Sequence, residues 1–202
     1  MSIGAENTND FTWQAFLNGD EDAFAKIYHL YSEPLFNFGR KFKVDEQLLD
    51  DAVQEVFIDL FLKRQKLAVK IKSIKAYLFV ALKHNLLKKL NRSRKIYSLG
   101  IENFRDLDFN IDYDAQQTII NSEIEIETNQ RLAEAIEKLS KKQKEIIYLK
   151  FEEELDYPEI AKILQISVES ARKQIYRAIK ALRESFDNHP IKTLLSIFLK
   201  KI

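Results

Sequence analysis

Asp156-Tyr-Pro-Glu-Ile-Ala-Lys-Ile-Leu-Gln-Ile-Ser-Val-Glu-Ser-Ala-Arg-Lys-Gln-Ile-Tyr-Arg-Ala-Ile-Lys-Ala-Leu-Arg183 reads as two short helices joined by a tight turn. Asp156 is a good N-cap, and Pro158 falls in the first turn, where its missing N–H costs nothing. Ile160, Ala161, Ile163 and Leu164 form one apolar face, and Gln165-Ile166 makes the turn. Ser167 caps the second helix, in which Val168, Ala171, Ile175, Ala178, Ile179 and Leu182 recur at helical spacing as a buried stripe. The opposite face carries Glu169, Ser170, Arg172, Lys173, Gln174, Tyr176, Arg177 and Lys180. These residue types contact base edges and phosphates, and the pattern is that of a helix-turn-helix whose second helix enters a DNA major groove. Glu169 to Lys173 should enter first, with Tyr176, Arg177 and Lys180 nearer the backbone. An amphipathic hairpin with a solvated basic face would show the same pattern.

Composition fits a helical chain. The chain has 202 residues, enough for two small domains, and is 46% hydrophobic. Four Gly and three Pro leave little turn chemistry for a β-sandwich. The absence of Cys excludes disulfides, thiolate metal sites and a Cys nucleophile, and fits a reducing cytoplasm. His29, His84 and His189 lie far apart, without metal-ligand spacing. Nothing in the sequence calls for a cofactor or a small-molecule substrate, and an enzyme reading is weak. The polar, acidic stretch Met1 to Asp10 predicts no signal peptide, and no apolar run is long enough to span a bilayer.

Net charge is only +1, but its distribution is uneven. Asp10 to Asp59 is acidic, Leu60 to Ile101 contains no Asp or Glu at all, and Glu102 to Glu127 turns acidic again. The acid-free block holds Lys63, Arg64, Lys66, Lys70, Lys72, Lys75, Lys83, Lys88, Lys89, Arg92, Arg94 and Lys95. Such a block is the electrostatic footprint of a polyanion partner. A second nucleic-acid surface is therefore expected ahead of the helix-turn-helix.

Periodicity predicts helices over Phe11 to Arg40 with a break at Gly19-Asp20, over Asp45 to Lys63, and from a Ser73 cap to about Arg94. Arg64 to Lys72 reads as a polar basic loop. In the last of these helices Ile74, Tyr77, Leu78, Ala81, Leu82 and Leu86 face inward, with Tyr77 divided between core and contact roles. Asn91 to Asn129 begins as a linker, with helix possible near Ile119. Leu132, Ala135, Ile136 and Leu139 open a second domain, and Ser140 caps a helix with Ile146, Ile147, Leu149 and Phe151 inward.

Four segments in order carry a resemblance. Asn18-Gly-Asp-Glu-Asp-Ala-Phe-Ala-Lys-Ile-Tyr-His-Leu-Tyr31, Leu48-Leu-Asp-Asp-Ala-Val-Gln-Glu-Val-Phe-Ile-Asp-Leu-Phe61, Ile74-Lys-Ala-Tyr-Leu-Phe-Val-Ala-Leu-Lys-His-Asn85 and Leu139-Ser-Lys-Lys-Gln-Lys-Glu-Ile-Ile147 precede the helix-turn-helix. Together they resemble a sigma-70-type RNA polymerase sigma factor of the extracytoplasmic-function class, over about Phe11 to Phe186. The resemblance implies an all-α fold of two small helical domains joined by a linker, the second a helix-turn-helix (winged-helix-like) domain. Residues 1–95 would bind core polymerase and the −10 element, 96–128 would be an acidic linker, 129–186 would bind the −35 element, and 187–202 would form an apolar tail helix.

The resemblance also implies roles. Asp51, Gln54, Glu55, Ile58 and Asp59 match the helix that docks on core RNA polymerase. Lys75, Tyr77, Lys83, His84, Asn85, Lys88, Lys89, Arg92 and Arg94 fall in the segment that captures and melts the −10 element. The polar face of the second helix would read the −35 element. Promoter DNA, core polymerase and an anti-sigma factor are the implied partners, with no membrane insertion. The chain departs from the family pattern at Tyr77, often Trp, at Lys83-His84, where Arg is frequent, and at Glu169-Ser170-Ala171, often Gly-Thr-Val. Those departures bear on promoter sequence. A stand-alone dimeric helix-turn-helix regulator is the alternative, but it has no use for Leu48 to Phe61 followed by the acid-free block. The tail, with Ile191, Leu194, Leu195, Phe198 and Ile202 at helical spacing, fits either a cover on its own domain or a docking element between domains or on a regulator.

Overall fold

The computed structural model describes residues 12–67, 71, 73–97, 108–111 and 134–184, with backbone alone for 92–97. The acidic start, most of the linker with the helix considered near Ile119, Leu132 and the tail lie outside these residues. Among the described residues every regular element is helical and none is a strand. They fall into two compact units, one within Met1–Arg40 and Val44–Asp106, the other within Lys41–Lys43 and Leu107–Ile202.

The first unit contains α1 (12–17), α2 (Glu21–Arg40), α3 (Glu46–Leu67) and α4 (Ile74–Tyr97). Gly19, at φ +94, turns the chain out of α1 in a conformation that favours glycine. Asp20 then caps α2, its Oδ1 accepting from the Ala23 N–H at 2.9 Å. Asp45 opens α3 in the same way, accepting from Gln47 and Leu48, and Ser73 opens α4, accepting from Ala76 at 3.1 Å. Along α3, Leu49, Ala52, Val53, Val56, Phe57 and Leu60 are buried at helical spacing. That stripe packs on both α2 and α4, which also meet each other. Phe38 and Phe79 lie 4.9 Å apart at the centre, both fully buried.

Arg64 to Leu67 departs from the loop expected over 64–72, since α3 continues to Leu67 and 68–70 and 72 lie outside the described residues. No Gly or Pro interrupts it, and basic residues at its end suit the negative pole of the helix dipole. Arg64 folds back along the helix, donating from Nη1 to the Phe61 carbonyl at 2.9 Å and lying 4.5 Å above the Phe61 ring. Likewise α4 runs on to Tyr97, past the expected end near Arg94. Tyr77 and Ala81 are half-buried in it, while Ala76 and Phe79 join the core.

Gly39 lets α2 come close to α3, since a Cβ built there would overlap the buried Leu49 Cδ1. Gly→Ala in a helix ordinarily stabilises by up to about 1 kcal/mol. Here overpacking should reverse the sign, and Gly39→Ala should cost about 1–3 kcal/mol. Urea unfolding followed by Trp13 fluorescence reads this unit, because Trp13 is buried in it and is the chain's one tryptophan. A raised midpoint would show that Leu49 gives way.

The second unit contains α5 (134–137), α6 (Lys141–Ile147), α7 (Tyr157–Leu164) and α8 (Val168–Glu184). Ser140 and Gln143 form a full capping box on α6, and Asp156 and Glu159 form another on α7. The end of α6 widens into a π turn, Tyr148–Glu152. The buried Tyr148 hydroxyl closes it by donating to Glu153 Oε1 at 2.9 Å. Burial, with the Glu153 carboxylate beside it, pushes the Tyr148 phenol strongly up. Within this unit the Phe42 ring lies 5.1 Å from Phe109, and Phe109 lies 5.8 Å from Tyr148. The Asn110 N–H donates to the Lys41 carbonyl at 2.7 Å. Lys41–Lys43 thus group with the second unit, although their sequence position falls within 1–95.

Candidate nucleic-acid and docking surfaces

The helix-turn-helix is built by α7 and α8. Gln165, left-handed at φ 52 and ψ 46, ends α7 and reverses the chain. The Ile166 N–H donates to the Ala161 carbonyl at 3.0 Å, and Ser167 caps α8 by accepting from the Ser170 N–H at 3.1 Å. Ala171, Ile175, Ala178 and Leu182 are buried, Ile179 is half-buried, and Val168 is exposed rather than buried. Val168 sits in the first turn, before the helix is fully under cover.

The outer face holds all eight candidate residues together. Glu169, Arg172, Lys173, Tyr176, Arg177 and Lys180 are exposed, and Ser170 and Gln174 are half-buried. Tyr176 is 68% exposed, high for an aromatic ring. The cations differ in their company. Lys173 Nζ lies 2.6 Å from Glu169 and Lys180 Nζ lies 3.8 Å from Glu184, both one turn along the helix. Arg172 instead stands over the Tyr157 ring, 5.3 Å from its centroid.

In the first unit, Asp51, Gln54, Glu55, Ile58 and Asp59 all lie exposed on α3, opposite its buried stripe. Ile58 is 56% exposed, and Leu62, one turn on, is 70% exposed. Sequence reading missed Leu62; its place at Ile58 plus four, off the buried stripe, was the available signal. Asp59 pairs with Lys63 at 2.5 Å, and this holds the Lys63 ammonium above its ordinary value.

Glu55 reaches away from this face to α4. Its Oε1 meets Lys89 Nζ at 2.7 Å, and its Oε2 accepts from Asn85 Nδ2 at 2.9 Å. Hydrogen bonds from Lys89 and then Asn85 hold the Glu55 carboxyl below its ordinary value. Asn85 Nδ2 also lies 3.4 Å from the Ala52 carbonyl. Two acceptors on one side fix the amide with its nitrogen toward α3. The expected docking and strand-capturing sets are therefore bonded to each other through Glu55.

On α4, His84 and Lys88 are exposed, while Lys75, Tyr77, Lys83, Asn85 and Lys89 are half-buried. Lys75 Nζ stands 5.9 Å from the Phe79 ring centroid. Burial pushes the Tyr77 phenol up. Arg92 and Arg94 lie on the same helix, and their side chains are outside the described residues. Among the described residues no group of three His, Asp or Glu side chains could hold a metal ion, and no helix is long and apolar enough to cross a membrane.

Among the described residues these surfaces define an all-helical protein with a helix-turn-helix in one unit and a basic helix beside an acidic, apolar face in the other. The family model of sigma-70 region 2 matches residues 27–96, and that of sigma-70 region 4 matches residues 129–182. Together the two matches span more than half of the chain. The extracytoplasmic-function RNA polymerase sigma factor SigW of Bacillus subtilis (strain 168) is 24% identical over 169 residues, 82% of this chain and 90% of that protein. Two solved structures share the fold. CnrH in complex with the cytosolic domain of CnrY has a TM-score of 0.54 at 19% identity, covering 86% of this chain and 94% of that one. RpoE in complex with the anti-sigma factor NepR, from Bartonella quintana, has a TM-score of 0.53 at 20% identity, covering 80% and 95%. The chain belongs to the sigma-70 family, as a sigma factor of the extracytoplasmic-function class.

Proposed function

We propose that this sigma factor binds core RNA polymerase through the outer face of α3, captures the −10 element on α4 and reads the −35 element with α8. The polymerase-facing group is Asp51, Gln54, Ile58 and Asp59, with Glu55 tying it to α4. An acidic rim around exposed aliphatic side chains suits a basic partner surface with an apolar centre. Lys75, Lys83, Lys88 and Lys89, with Arg92 and Arg94, supply phosphate charge; Tyr77, His84 and Asn85 offer contacts to an unstacked base. Glu169, Ser170, Arg172, Lys173, Gln174, Tyr176, Arg177 and Lys180 make the duplex contact. The protein supplies recognition and leaves bond formation to the polymerase, working in the cytoplasm.

The observation that carries this reading is the Glu55–Asn85–Lys89 link. It joins α3 to α4 by side-chain hydrogen bonds, which supports a reading in which docking on α3 sets where the strand captured on α4 passes. The fold is shared with two proteins solved with partners, one of them the sigma factor RpoE with an anti-sigma factor. An anti-sigma factor covering the α3 face is therefore part of the proposal. Fluorescently labelled full-length protein titrated with purified core polymerase should bind saturably, and no binding would remove the docking role.

A further inference from the structure

We propose that Glu55 is a positioning residue that sets base specificity: it turns the Asn85 amide so that only its oxygen faces the captured strand, which restricts the base read there to one carrying an exocyclic amino group. The proposal rests on the reading of α4 as the strand-capturing helix, and it names the class of base that the helix accepts.

The lock is built from acceptors. A carboxamide nitrogen has two hydrogens to donate. Asn85 Nδ2 donates to Glu55 Oε2 at 2.9 Å and lies 3.4 Å from the Ala52 carbonyl, both on α3. A backbone carbonyl can only accept, and so can an ionised carboxylate. Hydrogen bonds from Lys89 and then Asn85 keep Glu55 ionised by holding its carboxyl below the ordinary value. The other carboxylate oxygen, Oε1, meets Lys89 Nζ at 2.7 Å, and that lysine side chain is only 20% exposed. Glu55 is therefore held in place from its far side. A flipped amide would set its oxygen against two acceptors with no hydrogen between them, so the amide keeps one orientation.

The two polar atoms of a carboxamide diverge from one carbon, so Oδ1 is directed away from α3. Among the described residues no hydrogen bond to Oδ1 competes with an incoming group. Lys88, exposed one turn along α4, places a cation for the strand's phosphate nearby.

An asparagine with both ends available pairs with the donor and the acceptor of adenine together. Here the donor end is spent on α3, and the strand meets a lone acceptor. Adenine N6, cytosine N4 and guanine N2 each bring an amino hydrogen to it. Thymine has no amino group, and its N3–H stands between two carbonyl oxygens that repel Oδ1. Thymine is therefore the base rejected at this position.

The test uses full-length protein assembled with saturating core polymerase. The probe is a labelled promoter selected by the wild-type holoenzyme from a random library, its −10 region held open by mismatches so that melting does not enter. Each amino-bearing base of the captured strand is replaced in turn by its amino-free analogue: purine for adenine, 2-pyrimidinone for cytosine, hypoxanthine for guanine. Wild type should lose roughly fivefold at one position, the worth of one hydrogen bond. Asn85→Ala should abolish the difference at that position. Glu55→Gln is isosteric but can present either an N–H or an oxygen to Asn85, so it unlocks the amide, and the difference should fall to about twofold or less. Each ratio is taken within one variant, which cancels any general loss of DNA or polymerase affinity. A wild-type ratio intact in Glu55→Gln but lost in Asn85→Ala would overturn the positioning role of Glu55. A ratio that survives in Asn85→Ala, or no discriminating position in wild type, would overturn the amide as the reader of an amino group. A holoenzyme that holds the opened probe no better than core polymerase alone would instead sink the underlying strand-capture reading.

Discussion

The Ile58→Glu protein should bind core RNA polymerase at least about tenfold more weakly than wild type, a loss of about 1.4 kcal/mol or more. Ile58 is 56% exposed, so the fold does not depend on burying it. With Leu62 it forms the apolar centre of the proposed contact, ringed by Asp51, Gln54 and Asp59. A carboxylate there must be desolvated against a surface chosen for an aliphatic group, and it adds a like charge to an already acidic rim. The double variant Asp51→Ala with Gln54→Ala should also weaken binding, by a smaller factor, because rim charges act more on encounter than on lifetime. Both variants should keep wild-type helical circular dichroism and unfolding midpoint. Wild-type affinity for Ile58→Glu would mean that polymerase does not cover this face.

A comparably large effect on stability is expected inside the same unit. Phe79 is fully buried on α4 and faces Phe38 of α2 at 4.9 Å. Phe79→Ala should cost about 3–5 kcal/mol, from lost transfer energy and the cavity left behind. Against a total stability of about 5–15 kcal/mol, that is a large share. With a urea slope of about 1–3 kcal/mol/M, the midpoint reported by Trp13 should fall by on the order of 2 M. A fall under about 0.3 M would mean that α2 and α4 collapse to refill the space, and that packing here is looser than the structure indicates.

Much of this architecture is written in short-range chemistry. Ser73, Ser140, Asp156 and Ser167 each cap the helix that their position suggested. Their oxygens need only reach an N–H two or three residues on, a relation visible in sequence. The Gly19 break and the Gln165-Ile166 turn are legible for the same reason. The all-helical class follows from periodicity and from the shortage of Gly and Pro.

What escaped the sequence depends on contacts across space. Over the last turn of α3 Arg64 folds back over Phe61, a contact that a run of basic residues does not announce. Glu55 stands amid the candidate docking residues by spacing, yet its oxygens meet Asn85 and Lys89 on another helix. The π turn at Tyr148 answers to a buried hydroxyl and carboxylate, which read in sequence as a tyrosine among glutamates. Tyr157 gave no signal beyond its place next to a cap, because the cations over its ring, Lys150 and Arg172, come from the π turn and α8.

The central claim is that one docking helix and two DNA surfaces work together only on the polymerase. Run-off transcription with purified core RNA polymerase over a library of promoter fragments tests it most directly. Discrete transcripts should require both core enzyme and this protein, and should come from fragments sharing two motifs at a fixed spacing. The protein alone should hold those fragments weakly, since the polymerase supplies its effective concentration. No transcript from any fragment, together with tight binding of the protein alone to a palindromic site, would contradict the account and point to a free-standing dimeric regulator.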